Sequence, residues 1–318
     1  MEKVFLTEQI HADAVAFLKE RFEVVQGTSV DAAEMIRQAQ GCAAILIRSA
    51  RITAEIMDGI PSLKVIAKHG MGVDNIDVKH ATEKGILVVN APYSNLNAVA
   101  EHIVMLLLSL SKRTVRMDSL TRRGEFFKRN QYKTTELKGA TVGIIGLGKI
   151  SRLVVKKLSG FEMEILASDP FVSQEDAAGL PVTMVTADEV YRRSDFVIVH
   201  TSLFPSTFHL VGREQFRQMK PTAYIINAAR GPVIDEAAMI EALRAGEIAG
   251  AGLDVFEQEP PEKDNPLFAM ENVILSPHNA ALSDGALRSM AMDSAQGVTE
   301  YLMGKPVTYP VNGEVLKK

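Results

Sequence analysis

Cysteine is almost absent from this chain of 318 residues: Cys42 stands alone, so no internal disulfide can form. It adjoins the apolar run Ala43–Ile47 and reads as an inert core thiol rather than a nucleophile. Long hydrophobic runs are lacking too. The longest apolar stretch in a helical context, Ile103–Leu108, is far too short to span a bilayer. The opening residues, MEKVFLTEQIHADAV, are too polar for a signal peptide. Nor is there an excess of positive charge. A formal net charge of −4 argues against nucleic acid or an acidic membrane surface as the main partner. No internal repeat, low-complexity tract or metal-ligand cluster is evident, so no metal is expected. A soluble cytoplasmic protein is the class that remains.

What is present is a hydrophobic content of 47%, enough for a sizeable core, in a length that suggests two domains. The first ninety-odd residues alternate between two periodicities. Val4–Leu6, Phe22–Val25, Ala44–Ile47, Lys64–Ala67 and Gly85–Val89 read as strands. Ile10–Phe17, a stretch capped by Asp31 through Ala39, and Ile52–Ile60 read as helices between them. This βαβα order predicts a small parallel sheet, complete before residue 92. Pro92 breaks the pattern. Asn97–Ser111 is apolar nearly all round and is expected to be a buried helix, on which Glu101 and His102 need partners. The basic run Lys112–Lys128 reads as a solvated or subunit-facing segment. Six further apolar runs then follow: Val142–Ile145, Met163–Ala167, Phe196–Val199, Tyr224–Ile226, Gly252–Val255 and Val273–Leu275. They fit one doubly wound sheet. Ser283 looks like the N-cap of a last helix, Asp284 to about Met303. No strand follows that helix, so it is expected to return and cover the first sheet.

Residues 141–169 carry the most telling pattern. An apolar run enters Gly146-Leu147-Gly148, an amphipathic segment Ile150–Leu158 follows, and a second apolar run ends on Asp169. This is the order strand, turn, helix, strand, acid of a dinucleotide-binding unit. Gly146 permits a tight turn, and Gly148 lets the backbone approach a pyrophosphate at the helix N-terminus. Asp169 lies where a carboxylate would accept hydrogen bonds from the ribose hydroxyls. It would also repel a 2′-phosphate, and Pro170 and Phe171 rather than an arginine follow it, so NAD is expected over NADP. The third fingerprint position holds Ser151 instead of glycine.

Polar groups follow each apolar run of this second series. They are Asp169, His200-Thr201-Ser202, Asn227-Ala228-Ala229-Arg230-Gly231, Asp254, and Ser276-Pro277-His278-Asn279. The carboxyl ends of parallel strands face the ligand crevice, so these groups are expected to converge on one edge. Polar residues at strand ends are often merely solvated, but that explains poorly a His, an Arg and two Asp beside a dinucleotide fingerprint. Hydride transfer between a nicotinamide and a carbonyl needs a proton donor and positive charge near the oxygen. His278 can supply the proton, and Arg230 can grip a carboxylate in bidentate fashion. A carboxylate near His278 would favour its imidazolium form. Asp254, Glu257 and Glu259 all qualify on charge, and spacing does not choose among them.

The arrangement resembles the D-isomer-specific 2-hydroxyacid dehydrogenases, which include phosphoglycerate, glycerate, hydroxypyruvate/glyoxylate and D-lactate dehydrogenases. The likeness is carried by Gly70–Asn75, Gly143–Ile150, Asn227–Gly231, Asp254–Pro260 and Ser276–His278, and it covers nearly the whole chain. It implies two α/β domains. A Rossmann-type, NAD-binding doubly wound sheet would occupy residues 99–283, and a smaller flavodoxin-like substrate domain residues 1–98 and 284–318. It implies Arg230 as substrate anchor, Glu259 as partner of the histidine and His278 as general acid/base. The cofactor residues implied are Gly146, Gly148, Lys149, Ile150, Asp169, His200, Thr201, Ser202, Thr207, Ala228, Ala229, Arg230, Asp254 and His278. On the substrate side it implies backbone N–H groups of Gly70-Met71-Gly72, with Arg48 and His69 nearby. Arg48, Arg51, Lys68 and His69 would either form an anionic subsite or lie in solvent. The likeness also places the helix Asn97–Ser111 at a homodimer interface; burial within its own domain is the alternative.

Three departures from the family pattern stand out: Ser151, Phe204 where a small polar residue is common, and His69. They bear on substrate identity more than on reaction type. The chain leaves no room after its last helix for a C-terminal regulatory domain, so feedback control of that kind is not expected. Two other readings share the fold. A formate dehydrogenase would pair its histidine with Gln, and Glu259 argues against it. A dinucleotide-sensing corepressor would bind the cofactor without physiological turnover, and would carry disordered tails that this chain lacks. The leading expectation is interconversion of a small D-2-hydroxy acid and its 2-keto acid.

Overall fold

Apolar residues along each strand alternate between two buried faces, the pattern of parallel sheets covered on both sides by helices. The computed structural model describes residues 1–317. Among the described residues, twelve strands form two all-parallel sheets. β1 (Lys3–Leu6), β2 (Glu23–Gln26), β3 (Ala44–Ile47), β4 (Val65–Lys68) and β5 (Leu87–Val89) make the first, in the order β2-β1-β3-β4-β5. This is the flavodoxin-like order. β6 (Thr141–Ile145), β7 (Glu164–Ser168), β8 (Thr183–Met184), β9 (Phe196–Val199), β10 (Tyr224–Asn227), β11 (Gly250–Leu253) and β12 (Val273–Leu275) make the second. Its order is β12-β11-β10-β9-β6-β7-β8, the Rossmann arrangement with one strand added at the β12 edge.

The chain divides into two compact units, residues 1–95 with 282–318 and residues 96–281. In the first, Phe5, Ile45, Ile66 and Val88 face one layer. Val4, Leu46, Ala67 and Val89 face the other, where Ala291, Ala295 and Val298 cover them. Those three belong to the last helix, Asp284–Leu302, whose N-cap Ser283 accepts a hydrogen bond from the Ala286 amide. In the second unit, Val142, Ile144, Phe196 and Ile226 face one layer, and Ile145, Val197, Val199 and Leu253 the other.

The structure departs from the sequence reading in several places. The two-residue edge strand β8 was not expected; it is too short to show a period. Strand β11 begins and ends two residues earlier than its apolar run suggests, which leaves Asp254 and Val255 in the loop beyond it. The basic run, for which no element was read, holds a helix, Thr114–Arg122, and a 3-10 turn, Phe126–Gln131. The expected all-round burial of Asn97–Ser111 is corrected as well. The helix spans Leu96–Lys112 and buries Val99, Ala100, Ile103, Leu106, Leu107 and Leu110 within its own unit. Asn97, Glu101, Met105 and Lys112 form a solvent-facing stripe.

Candidate active site

The order of the second sheet reverses between β6 and β9, so the turns leaving these strands flank one crevice. Leaving β6, Gly146 adopts φ +91°, and a Cβ there would meet the His200 carbonyl oxygen at 2.6 Å. Only glycine suits both constraints. Gly148 is the N-cap of the helix Lys149–Leu158, and no side chain caps that N-terminus. An uncapped, glycine-led helix start suits a pyrophosphate. Ile150 is buried in the core behind it, and Lys149 is exposed. Ser151 is also fully buried, and its hydroxyl has no hydrogen-bond partner.

Asp169, just beyond β7, accepts hydrogen bonds from the Leu147 amide at 2.8 Å and the Phe171 amide at 2.9 Å. The acid thus braces the glycine turn itself, and each oxygen keeps a lone pair for a ribose hydroxyl. After β9, Thr201 is half-buried and Ser202 exposed. Thr207 closes the following loop: its hydroxyl donates to the Ser202 carbonyl at 2.7 Å and accepts from the Phe204 amide at 2.7 Å. The Phe204 ring is exposed. Burial, and then the positive charge of Arg230, push His200 down to about 4, so it is neutral at pH 7. Its Nδ1 is buried without a partner. An orphaned polar atom in the same crevice as the open helix end and the glycine turn fits a bound dinucleotide.

The turn after β10 is organised by Asn227, which the sequence reading did not single out as a site residue. Buried to 1% exposure, it accepts from the Ala229 amide and donates to the Arg230 carbonyl, both at 2.9 Å. Ala228 and Ala229 are buried beside it, and Arg230 Nη1 donates to the Ala229 carbonyl at 2.7 Å. A Cβ on Gly231 would overlap the Phe256 carbonyl oxygen at 1.7 Å, so this turn and the loop after β11 touch backbone to backbone.

That loop carries Glu259. Its Oε2 lies 2.7 Å from His278 Nδ1, and its Oε1 accepts from the Phe256 amide at 3.1 Å. The choice left open by spacing is therefore resolved in geometry: Glu259 meets His278, while Glu257 and Asp254 are engaged elsewhere. Partial burial would raise the Glu259 pKa. The hydrogen bond and charge of His278, the Phe256 amide and the Arg230 guanidinium outweigh it and hold the carboxyl below the usual range. A cavity of about 380 Å³ lies against the pair, walled by Phe256, Pro260, Phe268 and Pro277. Such apolar walls strengthen the hydrogen bond on that side.

Asp254, fully buried, holds the loop that presents the histidine. It accepts from Ser276 Oγ at 2.6 Å and from the amides of Asn279 and Ala280 at 2.9 Å, and its carbonyl accepts from the His278 amide at 2.7 Å. His278 itself sits at φ +50°. His102 finds its partner here, with Nε2 2.9 Å from Ser276 Oγ, and Glu101 pairs with Lys157 at 3.1 Å. Among the described residues no cluster of His, Cys, Asp and Glu is arranged to hold a metal ion, and no helix is long and apolar enough to cross a membrane.

In the unit of residues 1–95 and 282–318, Gly70 adopts φ +137° between β4 and an exposed Met71. The Gly70 carbonyl accepts from the Ala91 amide at 2.9 Å, and the Met71 carbonyl from Asn90 Nδ2 at 2.7 Å. The half-buried Gly72 continues the loop. His69 is buried at 7% exposure, with Nε2 3.2 Å from the Leu287 carbonyl. Burial and the charges of Arg48 and Lys68 push it down to about 4, although its hydrogen bonds oppose them. A neutral, buried His69 is neither the cation nor the solvated residue that the sequence suggested. Lys68 is tied to the Arg48 carbonyl and, at 2.9 Å, to Asn75 Oδ1. Arg48 donates to the Gln9 carbonyl at 3.1 Å. Glu8, which the sequence did not flag, accepts from the amides of Arg48, Ser49 and Ala50 at 2.7–3.1 Å and fixes their loop. An acid two residues past a strand carries no distinguishing sequence signal.

Residues 104–280 match the model of the D-isomer specific 2-hydroxyacid dehydrogenase, NAD binding domain. A D-3-phosphoglycerate dehydrogenase of Archaeoglobus fulgidus is 39% identical over 98% of this chain, and the chain spans 59% of that relative's length. A glyoxylate reductase of Thermofilum pendens is 40% identical, over 99% of this chain and 96% of the relative. Among solved structures, an NADPH-dependent glyoxylate/hydroxypyruvate reductase of Sinorhizobium meliloti, in complex with NADP and malonate, superposes with a TM-score of 0.87. It is 29% identical, and the match covers 98% of this chain and 96% of that one. By these matches the chain belongs to the D-isomer-specific 2-hydroxyacid dehydrogenase family.

Proposed function

We propose that this protein is an NAD-dependent oxidoreductase that interconverts a small D-2-hydroxy acid and its 2-keto acid. The carrying observation is the 2.7 Å contact of His278 with Glu259, in the same unit as the uncapped glycine-led helix start. The nicotinamide, when bound, supplies or accepts the hydride. In the reducing direction His278 gives a proton to the substrate oxygen as it becomes an alkoxide, and in the oxidising direction it takes one from the hydroxyl. Glu259 stabilises the imidazolium and fixes which ring nitrogen faces the substrate. Arg230 grips the carboxylate and stabilises negative charge on the reacting oxygen. Gly146, Gly148, Asp169 and the loop of Thr201–Thr207 hold the dinucleotide. In the other unit, the Gly70–Gly72 amides are assigned to the substrate carboxylate, with Arg48 and His69 as specificity elements. A second copy of the chain is the proposed partner, through the exposed stripe of the helix Leu96–Lys112.

A panel of 3-phosphohydroxypyruvate, hydroxypyruvate, glyoxylate and pyruvate with NADH tests the reading. Reduction of at least one, lost in His278→Ala, is expected. NADH binding without turnover of any of the four would overturn it.

A further inference from the structure

We propose that His209 is a positioning residue for this reaction: it holds the turn that carries Arg230 against the loop that carries Glu259. The proposal rests on the function just given. The loop after β11 is crowded with carboxylates: Asp254, Glu257, Glu259, Glu262 and Asp264 against Lys263 alone. Its midpoint docks on the start of the helix Glu236–Ala245. Glu257 and Glu236 exchange hydrogen bonds there: each carboxylate accepts from the other's amide, at 3.0 and 3.1 Å. Asp235, the N-cap of the same helix, lies alongside. Three carboxylates therefore meet, and left alone they would repel one another.

His209 is seated among them. Its Nε2 lies 2.8 Å from Glu257 Oε1, and its Nδ1 lies 4.0 Å from Asp235 Oδ2. Its two ring nitrogens thus face one carboxylate each, Nε2 at hydrogen-bond distance and Nδ1 beyond it. The backbone joins it to the other loop. The His209 amide donates to the Pro232 carbonyl at 2.9 Å, two residues beyond Arg230. Val211 then exchanges hydrogen bonds with Val233 and Asp235 at 3.1 and 2.9 Å. His209 adopts φ +51° to reach both loops, and its ring stacks on Phe208 at 4.0 Å. Such a conformation persists only where its surroundings over-determine it. Because the Gly231 turn and Phe256 are in backbone contact, a shift of either loop displaces the other. Glu257 lies two residues from Glu259, and Glu259 holds His278. His209 touches none of the three reacting side chains in these contacts, so it acts through Glu257.

Proton transfer tolerates little misplacement. His209→Ala is expected to lower kcat by ~10- to 100-fold, with NADH affinity unchanged by fluorescence titration. His209→Gln keeps a donor toward Glu257 and should recover most of the loss. Glu257→Gln should show the same kcat loss as His209→Ala, and the double variant should fall no lower than the worse single, since both remove one contact. All are assayed in the full chain, with the keto acid that the panel selects. Parental kcat in His209→Ala overturns the proposal. So does a double variant whose loss is the product of the singles, with no rescue by Gln. If His209→Ala does not fold, Glu257→Gln and His209→Gln decide between the same outcomes. Failure of the parent reading is distinct: His278→Ala would then retain full turnover, or the wild type would reduce none of the four acids, and the proposal would fall with it.

Discussion

Two sheet edges in this molecule carry rows of polar residues, and they are built in opposite ways. At the edge of the 96–281 unit, a histidine and a carboxylate face each other with their side chains about half exposed, 51% for His278 and 36% for Glu259. In the 1–95 unit, the polar groups are turned to the backbone. Glu8 accepts three amides, Lys68 is tied to a carbonyl, and His69 is buried and neutral. The first edge holds groups whose protonation can change during a reaction. The second fixes the shape of a loop. Residue type alone does not separate these uses: histidine, lysine and acid occur on both.

The comparison breaks first at His278. His278→Ala should cut turnover by ~10²- to 10⁴-fold, the value of one general acid/base, with NADH affinity little changed. Stopped-flow or steady-state kinetics with the keto acid would show it. Arg230→Ala comes next, with kcat lowered ~10²- to 10³-fold for loss of charge at the reacting oxygen and KM raised as well, because the guanidinium also holds the ground state. Loss in KM alone would make Arg230 a binding group only.

The asymmetry between the edges was only partly legible in the sequence. Strong apolar runs marked eleven of the twelve strands, and β8 escaped because two edge residues show no period. The glycine turn and Asp169 were readable because spacing in a βαβ unit is fixed by geometry. The partner of His278 was not readable from spacing, and only the family resemblance pointed to Glu259. Asp254, Glu257 and Glu259 share one loop, and only its folding sends Asp254 inward to the 276–280 backbone, Glu257 to His209 and Glu259 to His278. The helix Leu96–Lys112 looked apolar all round because Met105 and the partly buried Val104 and Leu108 hide its solvent-facing stripe in a composition count.

Cofactor choice sharpens the account of the first edge. A 2′-phosphate placed ~4 Å from Asp169 would cost up to ~4 kcal/mol at an effective dielectric of ~20, so NADH should exceed NADPH in kcat/KM by at least about tenfold. Equal efficiency would remove Asp169 from the ribose. Glu8 tests the second edge through stability. Burial would raise its pKa, but hydrogen bonds from Ser49, Thr7 and the Arg48 and Ser49 amides lower it to about 2. A depressed carboxylate stabilises the fold above its unfolded pKa and loses that contribution as pH falls, here between about 4.5 and about 2. Glu8→Gln should lower stability by ~1–3 kcal/mol near neutral pH by denaturant titration, and the difference from wild type should shrink through that acid window. A constant difference would mean that the charge of Glu8 is not what holds the loop.

The central claim, that the exposed edge does proton chemistry through His278 and Glu259, is tested most directly by the pH dependence of Glu259→Gln in both directions of reaction. The carboxylate favours the imidazolium, and keto-acid reduction needs that form. The account therefore predicts that reduction fades at a lower pH in the variant than in the wild type, and that oxidation of the hydroxy acid extends to more acidic pH. Both profiles remaining where they are in the wild type would contradict it.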